Sequence, residues 1–283
     1  VQSRKVLSTG RQRREDVLVD PSVPLAEEQV HPGSSAIPPG AAAQLVVLEI
    51  VVGQVREEHV RRVREVRAVS IGACGHDEMF VRLLDGQGYQ FETYPVLDGV
   101  FPENADSCDG WIITGSRHGV YEDHPWIAPL EELIRLIAAS GKPLIGVCFG
   151  HQIIAQALGG KVDKFSGGWA VGQQHYAIDG RDMVLNAWHQ DQVTELPPGA
   201  TVIGSNDFCA NAALVIGDNI LTVQPHPEFT AAYIAGLIDK RGRGVVPDEL
   251  LSAAQAKVDA GAPDDSGAFA SMMTAFLNKR APS

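Results

Sequence analysis

Leu144-Ile145-Gly146-Val147-Cys148-Phe149-Gly150-His151-Gln152 is the stretch on which the reading of this chain turns. Pro143 to Val147 is a short apolar run of the kind that forms a buried strand, and Gly150 to Leu158 has a helical pattern stopped by Gly159-Gly160. Between them stands Gly-x-Cys-x-Gly. A strand that turns into a helix through one cramped residue leaves no room for side chains two positions before and after it. Both glycines are therefore required, and the cysteine is lifted above the strand's C-terminal end, where α/β sheets place their ligands. The helix that follows directs its N-terminus at the sulfur and favours thiolate over thiol. A free cysteine is more often a small buried hydrophobe. Strand, paired glycines and helix together make Cys148 a candidate nucleophile instead.

A second stretch, Leu221-Thr222-Val223-Gln224-Pro225-His226-Pro227-Glu228-Phe229, supplies what such a nucleophile needs. In an extended His-Pro-Glu, residues two apart face the same side of the strand, so His226 and Glu228 can both reach the sheet's active edge. Pro227 biases His226 towards an extended backbone. His226 is then the candidate base and Glu228 the group that orients it. Alone, His-Pro-Glu reads as a surface turn; its weight comes from the elbow upstream.

Working outward, strands and helices alternate from residue 68. Ala68 to Ala73, Tyr89 to Val96, Trp111 to Thr114 and Pro143 to Val147 read as strands. Helices are expected over Glu78 to Leu84 and from Pro125 to Gly141, the latter with Ile127, Leu130, Leu133, Ile134 and Ile137 on one face. Residues 161–225 read as short strands separated by Gly, Asp and Asn turns, and helices return over Phe229 to Asp239, Pro247 to Ala260 and Ser266 to Leu277. The order β-α-β-α implies an α/β fold with a central, mostly parallel sheet and helices on both faces. Three parts are expected: residues 1–67 as an atypical extension whose composition is compatible with partial disorder, 68–245 as the main domain, and 246–283 as a helical appendage. Within the extension, Leu45 to Val52 suggests a strand and Val55 to Val66 a charged helix.

The 283 residues are 45% apolar, enough for a sizeable core, and carry a net charge of −12. Beyond residue 67, thirteen Lys and Arg face twenty-six Asp and Glu. Such a surface argues against nucleic acid and fits a small-molecule substrate. Cys74, Cys108, Cys148 and Cys209 form no C-x-x-C pair, and Cys74 with His76 is half a metal site at most. His118 and His124 read as solvated loop histidines, so no metal and no cofactor is expected. The longest apolar run, Ala41 to Gly53, is interrupted by Gln44 and Glu49 and too short for a bilayer. No signal-peptide pattern stands at the start, and a cytoplasmic protein away from the membrane is expected.

From about Met79 to Phe229 the chain resembles the class I (triad) glutamine amidotransferase family. Ile112-Ile113-Thr114-Gly115-Ser116, the Cys148 elbow with Gln152, and His226-Pro227-Glu228 carry the resemblance. Phe149-Gly150-His151-Gln152 and Trp188-His189-Gln190-Asp191-Gln192-Val193 look most like the GMP synthase-like branch and the plant γ-glutamyl peptidases. The resemblance implies a flavodoxin-like fold and a catalytic triad of Cys148, His226 and Glu228. It implies an oxyanion hole from the N–H groups of Gly115 and Phe149, and substrate contacts from Gln152, His189 and Gln190. Cys148 would form a γ-glutamyl thioester with glutamine or a γ-glutamyl amide. The partner implied is a separate ammonia-accepting synthetase, since no Gly-rich nucleotide loop follows Glu228. The alternatives are a γ-glutamyl peptidase that needs no acceptor and, from another class, a catalytically silent binding or regulatory protein.

Overall fold

Three consecutive strands, buried along their whole length, form the centre of the sheet. They are Gly110–Ile113, Leu144–Val147 and Ile220–Val223, and they run parallel. The computed structural model describes residues 47–49, 64–72 and 76–278, all within one unit spanning residues 44–283. In chain order the elements are β1 (Val47–Glu49), β2 (Arg64–Gly72), α1 (His76–Leu83), β3 (Tyr89–Gln90), β4 (Gly110–Ile113), α2 (Ile127–Ser140), β5 (Leu144–Val147) and α3 (Phe149–Ala157). They continue as β6 (Lys161–Lys164), β7 (Ala170–Ile178), β8 (Arg181–His189), β9 (Asp191–Glu195), β10 (Ala200–Ser205), β11 (Ala213–Ile216), β12 (Ile220–Val223), α4 (Ala231–Leu237), α5 (Asp248–Asp259) and α6 (Ser266–Leu277).

The main sheet runs β1-β2-β4-β5-β12-β11-β10-β7-β8, with β3 also pairing with β2; β6 and β9 form a separate pair. From β2 to β12 neighbouring strands are parallel, and from β12 to β8 they are antiparallel. Alternation of side chains divides the core between the two faces. Trp111, Ile113 and Leu144 join the α2 and α3 residues Leu130, Ile134, Phe149 and Ile153. Ile112, Ile145 and Val147 join Phe80 of α1 and Phe269, Met273 and Phe276 of α6. The apolar face expected for α2 is the buried one, and Gly141 closes that helix in the left-handed region (φ 72°).

Several expectations shift. Of the strand expected over Tyr89 to Val96, Tyr89–Gln90 pairs with β2, isolated bridges follow at Phe91 and Thr93, and a 3-10 turn at Val96–Asp98 comes after Pro95, whose ring has no N–H to give a ladder. The strands expected to be short in 161–225 include β7 and β8, nine residues each, which form a hairpin closed by Asp179-Gly180, both at positive φ. The boundary at residue 67 falls inside β2, which lies parallel to β4, while β1 is an antiparallel edge beside it. Residues 64–66 of the expected charged helix belong to β2, and the rest of it lies outside the described residues, as does Cys74. The C-terminal helices are part of the core. Leu251 and Ala254 of α5 pack with Val171 of β7, and Asp265 Oδ2 accepts the Val184 N–H at 2.7 Å. Among the described residues no helix is long and apolar enough to cross a membrane.

Candidate active site

Cys148 is the single residue between β5 and α3, at φ 53° and ψ −102°, a conformation in which a side chain other than glycine's is strained. Such strain costs of order 1–3 kcal/mol and persists only where its surroundings over-determine it. Here the Cys148 N–H donates to Val223 O at 2.9 Å and its carbonyl accepts from Gln152 N–H at 3.0 Å, while Gly150 N–H donates to Thr114 O at 3.0 Å. The flanking glycines have the close contacts expected of them. A Cβ on Gly146 would lie 2.6 Å from Gly150 O, and one on Gly150 would lie 2.0 Å from Ile113 O.

His226 reaches Cys148 by a route other than the expected one. β12 ends at Val223, and His226 follows in a turn, held by one antiparallel bridge to Asn186 of β8. Its N–H donates to Asn186 O at 2.7 Å, and Asn186 Nδ2 in turn donates to Phe229 O at 2.8 Å. Phe229 N–H closes the turn back to His226 O at 3.4 Å. Turn geometry, not strand alternation, therefore sets Glu228 beside the ring, with Nδ1 to Oε1 at 2.6 Å. With Nδ1 held there, Nε2 is the ring nitrogen left to face Cys148, whose proximity helps raise the His226 pKa. Phe229 stacks on the imidazole with centroids 3.7 Å apart.

Both side chains are almost wholly buried, and Glu228 Oε2 has no hydrogen-bond partner among the described residues. Burial works against the imidazolium, but Glu228 and Cys148 outweigh it and raise the His226 pKa. The arrangement favours a proton on His226 beside the sulfur, ready to be given to a leaving group.

Gly115 borders the pair: a Cβ there would lie 2.8 Å from His226 Cε1 and 3.7 Å from Cys148 Cβ. Phe149 is the first residue of α3, where helical geometry leaves an N–H without an intrahelical acceptor. Gly115 and Phe149 thus both lie next to Cys148.

The expected substrate contacts fare differently. Gln152 is buried and both hydrogens of its amide are used internally, on Asp191 O and Gln224 Oε1, each at 3.0 Å. His189 is buried with Nδ1 3.2 Å from Asp191 O, and its Nε2 has no partner among the described residues. Burial lowers its pKa to about 4, the Asp191 carbonyl opposes this, and neighbouring His226 adds to it. Gln190 is half-buried and reaches Phe165 O at 3.4 Å. His151 packs inside with Nδ1 2.7 Å from Thr222 Oγ1, and burial, aided by His189, brings its pKa down to about 3. It remains neutral and out of reach of base chemistry.

Sequence reading assigned no role to Asn186, which carries no motif, to Phe229 beside the His-Pro-Glu run, or to Tyr176 and Cys209, buried in one cluster with Cys148. Burial pushes the Cys209 thiol up to about 12, so it is no competing nucleophile. It also misread His118 and His124. In the loop after Gly115 the structure brings both rings to Glu122.

A family model for class I glutamine amidotransferases matches residues 76–233, more than half of the chain. The chain belongs to the class I glutamine amidotransferase family. Within it, this amidotransferase-family chain is 29% identical to Gamma-glutamyl peptidase 3 of Arabidopsis thaliana over 208 residues, 67% of this chain and 84% of that protein. It is 36% identical to the glutamine-hydrolyzing GMP synthase of Azoarcus sp. over 138 residues, 43% of this chain and 26% of that protein. A crystal structure of a glutamine amido transferase from Methylobacillus flagellatus superposes with a TM-score of 0.59 at 22% identity, covering 72% of this chain and 91% of that one. The fold is the flavodoxin-like fold of this family.

Proposed function

We propose that the chain is a cysteine hydrolase of γ-glutamyl amide bonds, acting on glutamine or on γ-glutamyl conjugates through a γ-glutamyl thioester on Cys148. The observation that carries this reading is the buried chain from Cys148 through His226 to Glu228, set on a strained elbow. Cys148 Sγ attacks the γ-carbonyl carbon, and the carbonyl electrons move onto oxygen, which faces the N–H groups of Gly115 and Phe149. As the tetrahedral species collapses, His226 Nε2 gives its proton to the nitrogen, the C–N bond breaks, and ammonia or an amine leaves. Water then enters, His226 takes its proton, and the hydroxide adds to the thioester carbonyl. The C–S bond breaks, releasing the γ-carboxylate and returning the thiolate. Glu228 keeps the imidazole oriented and stabilises its charged form throughout.

Similarity over most of a γ-glutamyl peptidase supports the self-sufficient version of this chemistry. A second reading, a glutaminase that passes ammonia to a separate synthetase, draws on the similarity to a GMP synthase. Incubation with 6-diazo-5-oxo-norleucine, followed by intact mass and peptide mapping, tests the shared step. Wild type becomes labelled on Cys148, and Cys148→Ala neither labels nor turns over substrate, with a loss of at least about 10⁴-fold. Equal rates for the two chains on a panel of γ-glutamyl amides would sink the proposal. Turnover of γ-glutamyl peptides faster than glutamine favours the peptidase reading.

A further inference from the structure

Three residues beyond Gly115, in the loop from β4 to α2, a second constellation converges. His118 Nδ1 lies 2.8 Å from Glu122 Oε2, His124 Nε2 lies 2.7 Å from the same oxygen, and the two nitrogens are 2.8 Å apart. Hydrogen bonds do not satisfy this triangle while the carboxylate is ionised. If both nitrogens carry hydrogens directed at Oε2, two N–H donors face each other. If one nitrogen accepts from the other, its lone pair faces a carboxylate oxygen with no proton between them. Each arrangement leaves one repulsive edge, whereas a cation at the centre meets three lone pairs at once.

The loop is built to hold these atoms. Glu122 Oε1 accepts the Gly119 N–H at 3.0 Å, which fixes the carboxylate. His118 N–H donates to Ser116 Oγ at 3.1 Å. The His124 ring stacks on buried Trp126, centroids 5.4 Å apart and planes 9° from parallel, and Trp126 in turn packs on Phe149.

We propose that His118, Glu122 and His124 form a binding site for one divalent transition-metal ion, best matched to Zn²⁺. Two imidazoles and one carboxylate suit zinc and its neighbours, while Ca²⁺ and Mg²⁺ prefer all-oxygen shells. Around tetrahedral zinc, ligand atoms at bonds of about 2.1 Å stand about 3.4 Å apart, so the triangle opens by roughly two thirds of an ångström on binding. The side chains are 16%, 41% and 30% exposed in the order His118, Glu122, His124, which permits that shift and admits water to complete the shell. The ion would staple the segment running from Gly115 to the start of α2. It shares no residue with the Cys148 site, and no step of the hydrolysis runs through it, so the two proposals stand or fall separately.

The test uses the tag-free full chain carrying Cys148→Ala, so that the thiol and His226 cannot together capture the ion. After chelation and dialysis, Zn²⁺ alone is titrated calorimetrically, and Co²⁺ is followed by its visible absorption. One ion binds per chain and raises the melting temperature by mass action. His124→Ala and Glu122→Gln each weaken binding by at least about tenfold and remove the thermal shift, with circular dichroism confirming the fold. Should His124→Ala not fold, His124→Asn serves in its place. No binding by the parent protein, or binding undiminished in the folded double variant His118→Asn, His124→Asn, overturns the proposal.

Discussion

Two groups of histidine and glutamate stand in this molecule, and their difference lies in surroundings rather than composition. Glu228 faces one imidazole, is buried, and leaves one oxygen without a partner among the described residues, and together with Cys148 it holds that ring's pKa up against burial. Glu122 is divided among two imidazoles and a backbone N–H, and at His118 burial, the second histidine and Arg117 together outweigh it, so that pKa is lowered. At His226 a proton is therefore favoured; at His118 a lone pair is. The first arrangement suits proton transfer to a leaving group, the second suits coordination of a cation. A carboxylate next to a histidine carries no fixed meaning until its other neighbours are counted.

The comparison breaks most decisively at the glutamates. Glu228→Gln should reduce turnover of γ-glutamyl amides by about 10⁴-fold, as loss of a triad's orienting acid does. The His226 pKa should fall towards its ordinary value by NMR titration. Glu122→Gln in metal-free buffer should stay within about threefold of wild type in turnover. Equal losses in the two variants would mean that both constellations serve one reaction.

Each constellation also contains a tight glycine, and these sharpen the contrast in rigidity. Gly150→Ala would set a methyl carbon 2.0 Å from the backbone oxygen of Ile113, which has nowhere to go, and should cost about 3 kcal/mol in urea unfolding. Gly119→Ala meets the Tyr121 ring at 2.8 Å, but that side chain is half exposed and can swing away, so its cost should stay below about 1 kcal/mol.

A pH-dependent effect concerns buried histidines that no carboxylate faces. His151 and His189 have pKa values lowered by burial, so below about pH 6.5 the unfolded chain binds protons that the folded chain refuses. Stability present at pH 7 is therefore lost as pH falls through 6.5 and below, by about 2 kcal/mol for each group at pH 5. His226 has the opposite sign. Its raised pKa contributes stability that is complete below about 6.5 and declines as pH rises towards the folded value. Urea midpoints between pH 5 and 9 check this, with His151→Gln flattening the acid limb. A midpoint constant from pH 7 to 5 would remove burial as the cause of the first shift.

The elbow was legible in the residues because its constraint is steric and local. Gly146, Cys148 and Gly150 are bound to one another by the turn they make, whatever surrounds them. The apolar stripe of α2 and the buried strands β4, β5 and β12 were legible for the same reason, since periodicity names a face before anything packs on it. The position of His226 was legible only as a pairing. The bridge to Asn186 that holds it comes from a segment with no motif, and the stacking of the Phe229 ring depends on how the turn after Glu228 folds. Gln152 was read as facing a substrate, yet its amide is turned inward by Asp191 and Gln224, partners far away in sequence. The C-terminal helices, read as an appendage, are tied into the core by Asp265 and by the buried faces of α5 and α6.

By itself, then, the sequence determined the elbow and the class of sheet it stands on, and it singled out the three residues proposed for its chemistry, because short-range sterics and side-chain periodicity are written in neighbouring positions. Only the tertiary structure decided which histidines hold protons and which present lone pairs. That depends on burial and on how many charges share each carboxylate, and both are properties of packing between distant segments.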